Sequence, residues 1–439
     1  MHLTGTMKIN PQGHLEVGGV DTVDLVRDFG TPLWVMDEQG LRQNCRKIKE
    51  AFSALGDSLV LYASKTLSNL SVYRIVKEEG LGLDVVSGGE LYTAIKAGFP
   101  MEKVYFHGNN KSREEIIMAI EAGVGRIVVD NFYELQLLNA CCEEKTKTQN
   151  ILLRITPGVE AHTHEYIKTG QIDSKFGFTL GDGQALDGVK AALASSALKL
   201  AGLHCHIGSQ IFEMESFGHA SSIMTDFLGT VKESTGHEFD ELDVGGGFGI
   251  YYFPGDEPRD PADWARAVMN TVGAKVQELG IRMPRIIVEP GRSIAGPAGI
   301  TLYTAGSCKE VKGIRKYIAV DGGMTDNPRP ALYGSKYLAV IANKALHKPF
   351  EKVSIAGKCC ESGDMLIWDA LLPEVEAGDI LAVFATGAYN YAMSSNYNRL
   401  PRPAMILVNK GSADLILKRE SYEDLIRNDV MPDRLNPAD

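Results

Sequence analysis

The chain has 439 residues, enough for two or three domains, and its 44% apolar and 23% charged composition excludes disorder as the dominant state. Forty-six glycines and 18 prolines follow no repeat period, which excludes fibrous classes. With 45 basic against 56 acidic residues the net charge is −11, so nucleic acid is not an expected partner.

Along the chain, the opening segment (HLEVGGV, PLWVM) has the texture of strands that precede a larger domain. It carries no apolar leader and no cleavage site, and no apolar run reaches the roughly 18 residues of a membrane span. Seven cysteines include the vicinal pairs Cys141-Cys142 and Cys359-Cys360 but no C-x-x-C, which argues for a reducing compartment and against a disulfide framework. The expected location is the cytoplasm. Cys141 and Cys142 are expected to pack on a helix face.

From residue 59, β-branched runs alternate with amphipathic stretches. Strands are predicted at residues 59–62, 83–86, 104–106, 127–129, 151–155, 200–206, 241–244 and 286–289, with helices such as SNLSVYRIVKEEG and SREEIIMAIEAG between them. Eight βα units in this length predict a (β/α)8 barrel, with a doubly wound open sheet as the competitor. After about residue 300 the runs ITLYTAG, KYIAV, LAVFATG and AMILVN, broken by Gly, Asp and Pro, predict a mainly β domain. The expected division is a barrel over residues 36–299 and a β domain over 300–439, completed by residues 1–35.

In such a barrel the C-terminal strand ends form the active face, and here they are polar: Ser64-Lys65, Ser87, His107-Gly108, Arg154, His204-x-His206-Ile-Gly-Ser209, Gly245-Gly246-Gly247 and Glu289-Pro-Gly-Arg292. Lys65 ends an apolar run, where a partly desolvated lysine becomes a carbonyl nucleophile; a strand-end lysine turned to solvent is the plainer reading. The glycines of DVGGGFGI suit close approach to an anion, or a tight turn without a ligand, and the spacing is not that of a dinucleotide fingerprint. In EPGR, Glu289 could hold the nitrogen of a heterocycle protonated while Arg292 takes an anionic group; the alternative is a local ion pair between them. A pyridoxal phosphate site explains both residues.

His204 and His206 fall on one face of a strand by the side-chain period of two. A zinc pair needs a third ligand that the spacing does not reveal, so no metal is expected and His206 is read as stacking on or orienting a ligand. The GKCCESGD loop joins Cys360, Glu361 and Asp364, a thiol beside carboxylates that suits proton donation or substrate contact. RPALYG and GAYNYAMSSNYN add an arginine suited to a carboxylate, with several tyrosines.

These segments, with HTHEYIKTGQIDSKFGF, HCHIGSQ and DGGMTDNPRPALYG, resemble in order and over most of the chain the fold type III (alanine racemase-like) pyridoxal 5'-phosphate-dependent decarboxylases, and within them the diaminopimelate decarboxylase family. The resemblance implies that Lys65 is the Schiff-base lysine, that His206 stacks on the cofactor ring and that Glu289 faces its nitrogen. It implies cofactor contacts from Ser209, Gly246, Gly247, Gly291, Arg292 and Tyr389. Substrate contacts would come from Arg292, Arg329, Tyr333, Glu361 and Tyr389, with Cys360 as proton donor. Members are homodimers whose β domain completes the neighbour's site, so Cys360 and Glu361 would act across the interface. The implied reaction is decarboxylation of meso-diaminopimelate to L-lysine. A decarboxylase for ornithine, arginine or carboxynorspermidine, a non-catalytic barrel that binds the cofactor and a zinc hydrolase are the alternatives. The sequence departs from the family in TLSN after Lys65 and in GIYYFPGDEP.

Overall fold

In a computed structural model, residues 2–158 and 173–435 are described. The chain divides into two compact units, one of Met1–Gln39 with Ala298–Asp439 and the other of Gly40–Pro297. Part of the HTHEYIKTGQIDSKFGF motif, residues 159–172, lies outside the described residues.

The unit Gly40–Pro297 holds eight parallel strands: Ser58–Ala63, Gly82–Val85, Val104–Phe106, Arg126–Val129, Gln149–Thr156, Leu198–His204, Glu241–Asp243 and Arg285–Val288. Each pairs with the next, and Arg285–Val288 pairs back to Ser58–Ala63, so the sheet closes and the open-sheet alternative is excluded. Leu61, Tyr105, Val128, Leu152 and Ile287 pack together as one of its apolar clusters. The intervening helices begin where the sequence supplies caps. The Asn69 side chain accepts from Val72 N at the start of Leu70–Glu78, and Ser112 forms a capping box with Glu115 at the start of Arg113–Ala122. Cys141 and Cys142 are both buried on helix Phe132–Glu144, as expected.

One strand end differs from the sequence reading. The sixth strand stops at His204, so His206 lies in the turn beyond it and the two imidazoles do not share a strand face. The cause is local: Gly246 N donates to His206 Nδ1 (3.2 Å), which draws the ring to the neighbouring glycine turn.

In the other unit, Leu33–Asp37 is buried at every position because it is a central strand. It pairs antiparallel with Gly299–Val311 and parallel with Ala404–Asn409, so the N-terminal segment completes the β domain. Gly299–Val311 also pairs with Arg315–Val320 and Ile380–Phe384 within a nine-stranded sheet. Leu15, Leu25, Val35, Leu302 and Ile406 lie in the core of this unit. Among the described residues, no helix is long and apolar enough to cross a membrane.

Candidate active site

The polar barrel residues that the sequence set at strand ends lie at or just beyond C-terminal strand ends. Lys65 sits in the single turn Ser64–Thr66 that follows the first strand, and its charge acts on Asp84, Glu90 and His206. Burial, reinforced by Lys65, pushes the His206 pKa well below its ordinary value, so the ring is neutral. Gly291 begins the turn into the short helix Arg292–Ala295. A side chain at Gly291 would run into Ala63 and Thr66, so glycine lets this turn close against the segment that carries Lys65.

The glycine turn after the seventh strand is built the same way. A Cβ on Gly246 would collide with the Glu289 carbonyl, and one on Gly247, at φ 113°, with the Gly208 carbonyl. Three strand-end turns therefore interlock through backbone alone. Arg292 is buried and donates to Ser209 Oγ from Nη2 (2.9 Å) and to Tyr252 OH from Nη1 (2.9 Å). The Glu289 carboxylate pairs with His107 and His204, and a guanidinium fixed beside a serine and a glycine turn is suited to a phosphate.

Glu289 is buried, with His107 Nε2 at 2.8 Å from Oε1 and His204 Nε2 at 3.4 Å from Oε2. Burial alone would raise its pKa, but the two imidazoles, His107 foremost, hold it well below the usual carboxylate range. His204 is itself lowered to about 4 by burial. Asp243 is raised well above the carboxylate range by burial and by Glu289, so it is a neutral acid beside an ionised one. The third potential ligand that the spacing concealed is thus supplied in space: His107, His204, Asp243 and Glu289 have ligand atoms within 4.8 Å of one another, and His206 is not among them. The 2.8 Å His107–Glu289 separation is shorter than the roughly 3.3 Å between ligands set 2.0–2.1 Å from a tetrahedral zinc. His107, Asp84 and Asp243 come from three further strands. The sequence signal for His107 was its place at a strand end; nothing in the spacing linked it to Glu289.

In the unit of Met1–Gln39 and Ala298–Asp439, Arg329 opens the short helix Arg329–Tyr333 and is buried. Its guanidinium lies over the rings of Tyr333 (5.3 Å) and Tyr389 (5.4 Å) and donates to Ser335 Oγ (3.2 Å), so three residues from two distant segments form one group. Cys360 and Glu361 are exposed; Cys360 N donates to Asn398 Oδ1 (2.7 Å), and Glu361 Oε1 accepts from Gly363 N (3.1 Å). The neighbouring thiol of Cys359 is buried and pushed up to about 12, so only Cys360 of the pair is placed for chemistry. Asp364 does not join it: the carboxylate is buried and accepts from backbone N–H groups instead of facing a substrate.

A family model described as pyridoxal-dependent decarboxylase, pyridoxal binding domain, matches residues 39–296. The chain is 54% identical to diaminopimelate decarboxylase of Halalkalibacterium halodurans, over 98% of each chain. It is 53% identical to that of Bacillus subtilis, again over 98% of each. The chain belongs to the diaminopimelate decarboxylase family. In fold it is similar to the crystal structure of diaminopimelate decarboxylase from M. jannaschii in complex with L-lysine, with a TM-score of 0.92, 39% identity and coverage of 98% of this chain and 99% of that one. Members of this family are pyridoxal phosphate-dependent carboxy-lyases, and the barrel residues fit that cofactor: a strand-end lysine, an ionised buried carboxylate, and a cradle of bare glycine backbone beside Arg292 and Ser209.

Proposed function

We infer that this enzyme removes carbon dioxide from meso-diaminopimelate to give L-lysine, the last step of lysine biosynthesis. The observation that carries the reading is Glu289, a buried carboxylate held ionised at the end of the last barrel strand. Pyridoxal phosphate, when bound, supplies a carbonyl that condenses with an amine and a ring that accepts the electrons released when a carboxylate departs. Lys65 would hold the carbonyl. Glu289 would keep the ring nitrogen protonated, whereas an arginine in its place would favour a neutral ring. Ser209, Gly246, Gly247, Gly291, Arg292 and Tyr389 would hold the phosphate, and the neutral His206 ring would lie against the cofactor face. Cys360 would return a proton to the carbon that lost its carboxylate.

Ornithine, arginine and diaminopimelate share the same amino acid head, so selection must come from the distal end. Only diaminopimelate brings a second carboxylate there, and Arg329 framed by Tyr333 and Tyr389 is a receptor for it, with Arg292 and Glu361 completing the substrate contacts. The unit that bears Cys360 and Glu361 would act on the neighbouring barrel of a cytoplasmic homodimer. Mixing Lys65→Ala protein with Cys360→Ala protein, each inactive alone, is expected to restore activity; continued inactivity would count against action across an interface. The decisive test incubates the purified protein with meso-diaminopimelate and pyridoxal phosphate and follows lysine and carbon dioxide together. Borohydride trapping should place the cofactor on Lys65, and an adduct elsewhere would overturn the assignment.

A further inference from the structure

His107 directly follows the third barrel strand and has so far entered only through its effect on the charge of Glu289. It is buried, its backbone N–H is tied to Val85 O (2.8 Å), and its Nε2 lies between two carboxylates from other strands, Glu289 Oε1 at 2.8 Å and Asp84 Oδ1 at 3.7 Å. Its ring meets that of His204 edge-on at 4.8 Å. We propose that His107 is the positioning residue for Glu289: its imidazole, with Nε2 2.8 Å from Oε1, pairs with the carboxylate, which fixes its direction and keeps it negative toward the cofactor nitrogen. This inference rests on the role given to Glu289 above.

The surroundings make such a partner necessary. Glu289 is enclosed by His107 on strand three, His204 on strand six, Asp243 on strand seven and Asp84 on strand two, with the charge of Arg154 also acting on it from strand five. Two of these neighbours, Asp84 and Asp243, are acids whose own ionisation the charge of Glu289 opposes. A carboxylate removed from water in such company stays ionised only if hydrogen-bond donors replace the solvent. His204 offers one at 3.4 Å, long for a strong bond, and Asp243 another, while the imidazole of His107 lies closest to the carboxylate at 2.8 Å and exerts the largest pull on its charge. With His107 beside Oε1, Oε2 is the atom that meets His204. Asp84 Oδ1, 3.7 Å from the same Nε2, sets a second carboxylate beside the imidazole.

The test uses the holoenzyme and a double-mutant cycle. His107→Leu removes the donor at similar volume, and His107→Gln keeps an N–H of shorter reach. His107→Leu is expected to lower kcat by at least about tenfold with KM little changed, as loss of one charged hydrogen bond would. Introduced into Glu289→Gln protein, the same change should cost less than about twofold further, because the interaction it supports is already gone. His107→Gln should recover most of the loss. The pH dependence of the visible absorption of the bound cofactor should move in His107→Leu and in Glu289→Gln in the same direction, a readout that packing damage alone would not produce. A full additional loss in the Glu289→Gln background would make the role of His107 structural and overturn the proposal, as would full kcat in His107→Leu. If His107→Leu does not fold, the absorption and kcat of His107→Gln decide: failure to support kcat while the cofactor spectrum stays unchanged would also overturn it. Should Glu289→Gln itself keep full kcat, the role of Glu289 falls and this inference with it, whereas loss in Glu289→Gln without loss in His107→Leu removes the inference alone.

Discussion

Asp364 holds the backbone of Met324: its Oδ1 accepts from Met324 N (2.7 Å), while Oδ2 accepts from Cys359 N (2.8 Å). One buried carboxylate thus ties the loop leading to Arg329 to the loop that carries Cys360 and Glu361. Gly323 and Gly357 leave the space it occupies, since a Cβ at either would strike the carboxylate. Asp364→Ala strands two buried N–H groups, each costing about 1–3 kcal/mol, and loosens both loops together. The expected outcome is a loss of at least about tenfold in kcat/KM, following the same arithmetic. Asp364→Glu should not rescue it, because the extra methylene has no room between the two glycines. Activity of Asp364→Glu equal to that of the unaltered enzyme would refute this.

Glu289→Gln keeps shape and removes charge. The pull of His107 and His204 on this group, strong enough to outweigh burial, is an attraction to the carboxylate that the amide cannot reproduce. If the charge acts only once electrons flow toward the cofactor, kcat falls far more than KM rises. Steady-state kinetics at saturating cofactor measure this, and a loss confined to KM would contradict the assigned role.

The barrel was legible because its strands are apolar and most are followed by a helix with a capping side chain; Val104–Phe106 falls at the predicted residues. The candidate site was legible where one strand end carries its own chemistry, as with Lys65, Glu289 and the glycine turn. It was not legible where chemistry depends on residues brought together from different strands. Nothing in HGNN announces that His107 meets Glu289, 182 positions away, and the HCH spacing suggested a His204–His206 pair that the turn at Gly246 prevents. Asp364 misled for the opposite reason. A carboxylate beside Cys360 and Glu361 in sequence turns inward, because a loop flanked by glycines has unpaired N–H groups that need an acceptor.

Lys111 and Glu134 are a buried ion pair at 2.6 Å, unremarked in the sequence. The Lys111 ammonium also donates to Gly108 O and Val128 O, each at 2.8 Å, and so ties the loop after His107 to the next strand. Burial lowers the Lys111 pKa and raises that of Glu134, so each ion depends on the other to stay charged. Lys111→Ala leaves an unpaired buried carboxylate and is expected to cost about 3–5 kcal/mol of stability. The double change Lys111→Met with Glu134→Leu should cost less than the single one. Denaturant unfolding of the three proteins measures the difference, and additive losses would refute it.

Arg329 is the position at which substrate choice should be decided. Buried, stacked between Tyr333 and Tyr389, and fixed by Ser335, it has a planar donor set held ready for a carboxylate. Arg329→Ala is expected to lose more than tenfold in kcat/KM for meso-diaminopimelate, on a charged hydrogen bond of roughly 1.5–3 kcal/mol. Arg329→Lys should restore little, since an ammonium cannot form the paired contact. A panel containing ornithine and arginine should show no matching loss for those substrates, and unchanged kcat/KM for diaminopimelate would defeat the distal-carboxylate argument.

Asp326 gives the β domain a pH signature of its own. Burial raises its pKa from 3.8 to about 7, although the Tyr303 hydroxyl and Gly323 N donate to it. A carboxyl whose folded pKa lies above its unfolded value binds protons more tightly when folded. Its contribution is therefore complete below about pH 3.8 and is lost as the pH rises through about 7. Asp326→Asn imitates the protonated acid: its oxygen can accept from Gly323 N while its NH2 donates to the tyrosine oxygen. The expected result is that Asp326→Asn gains Tm relative to the unaltered protein as pH rises from about 4 to about 7, and that the gain levels off above that window. A Tm difference independent of pH, or one of opposite slope, would show that Asp326 is ionised throughout.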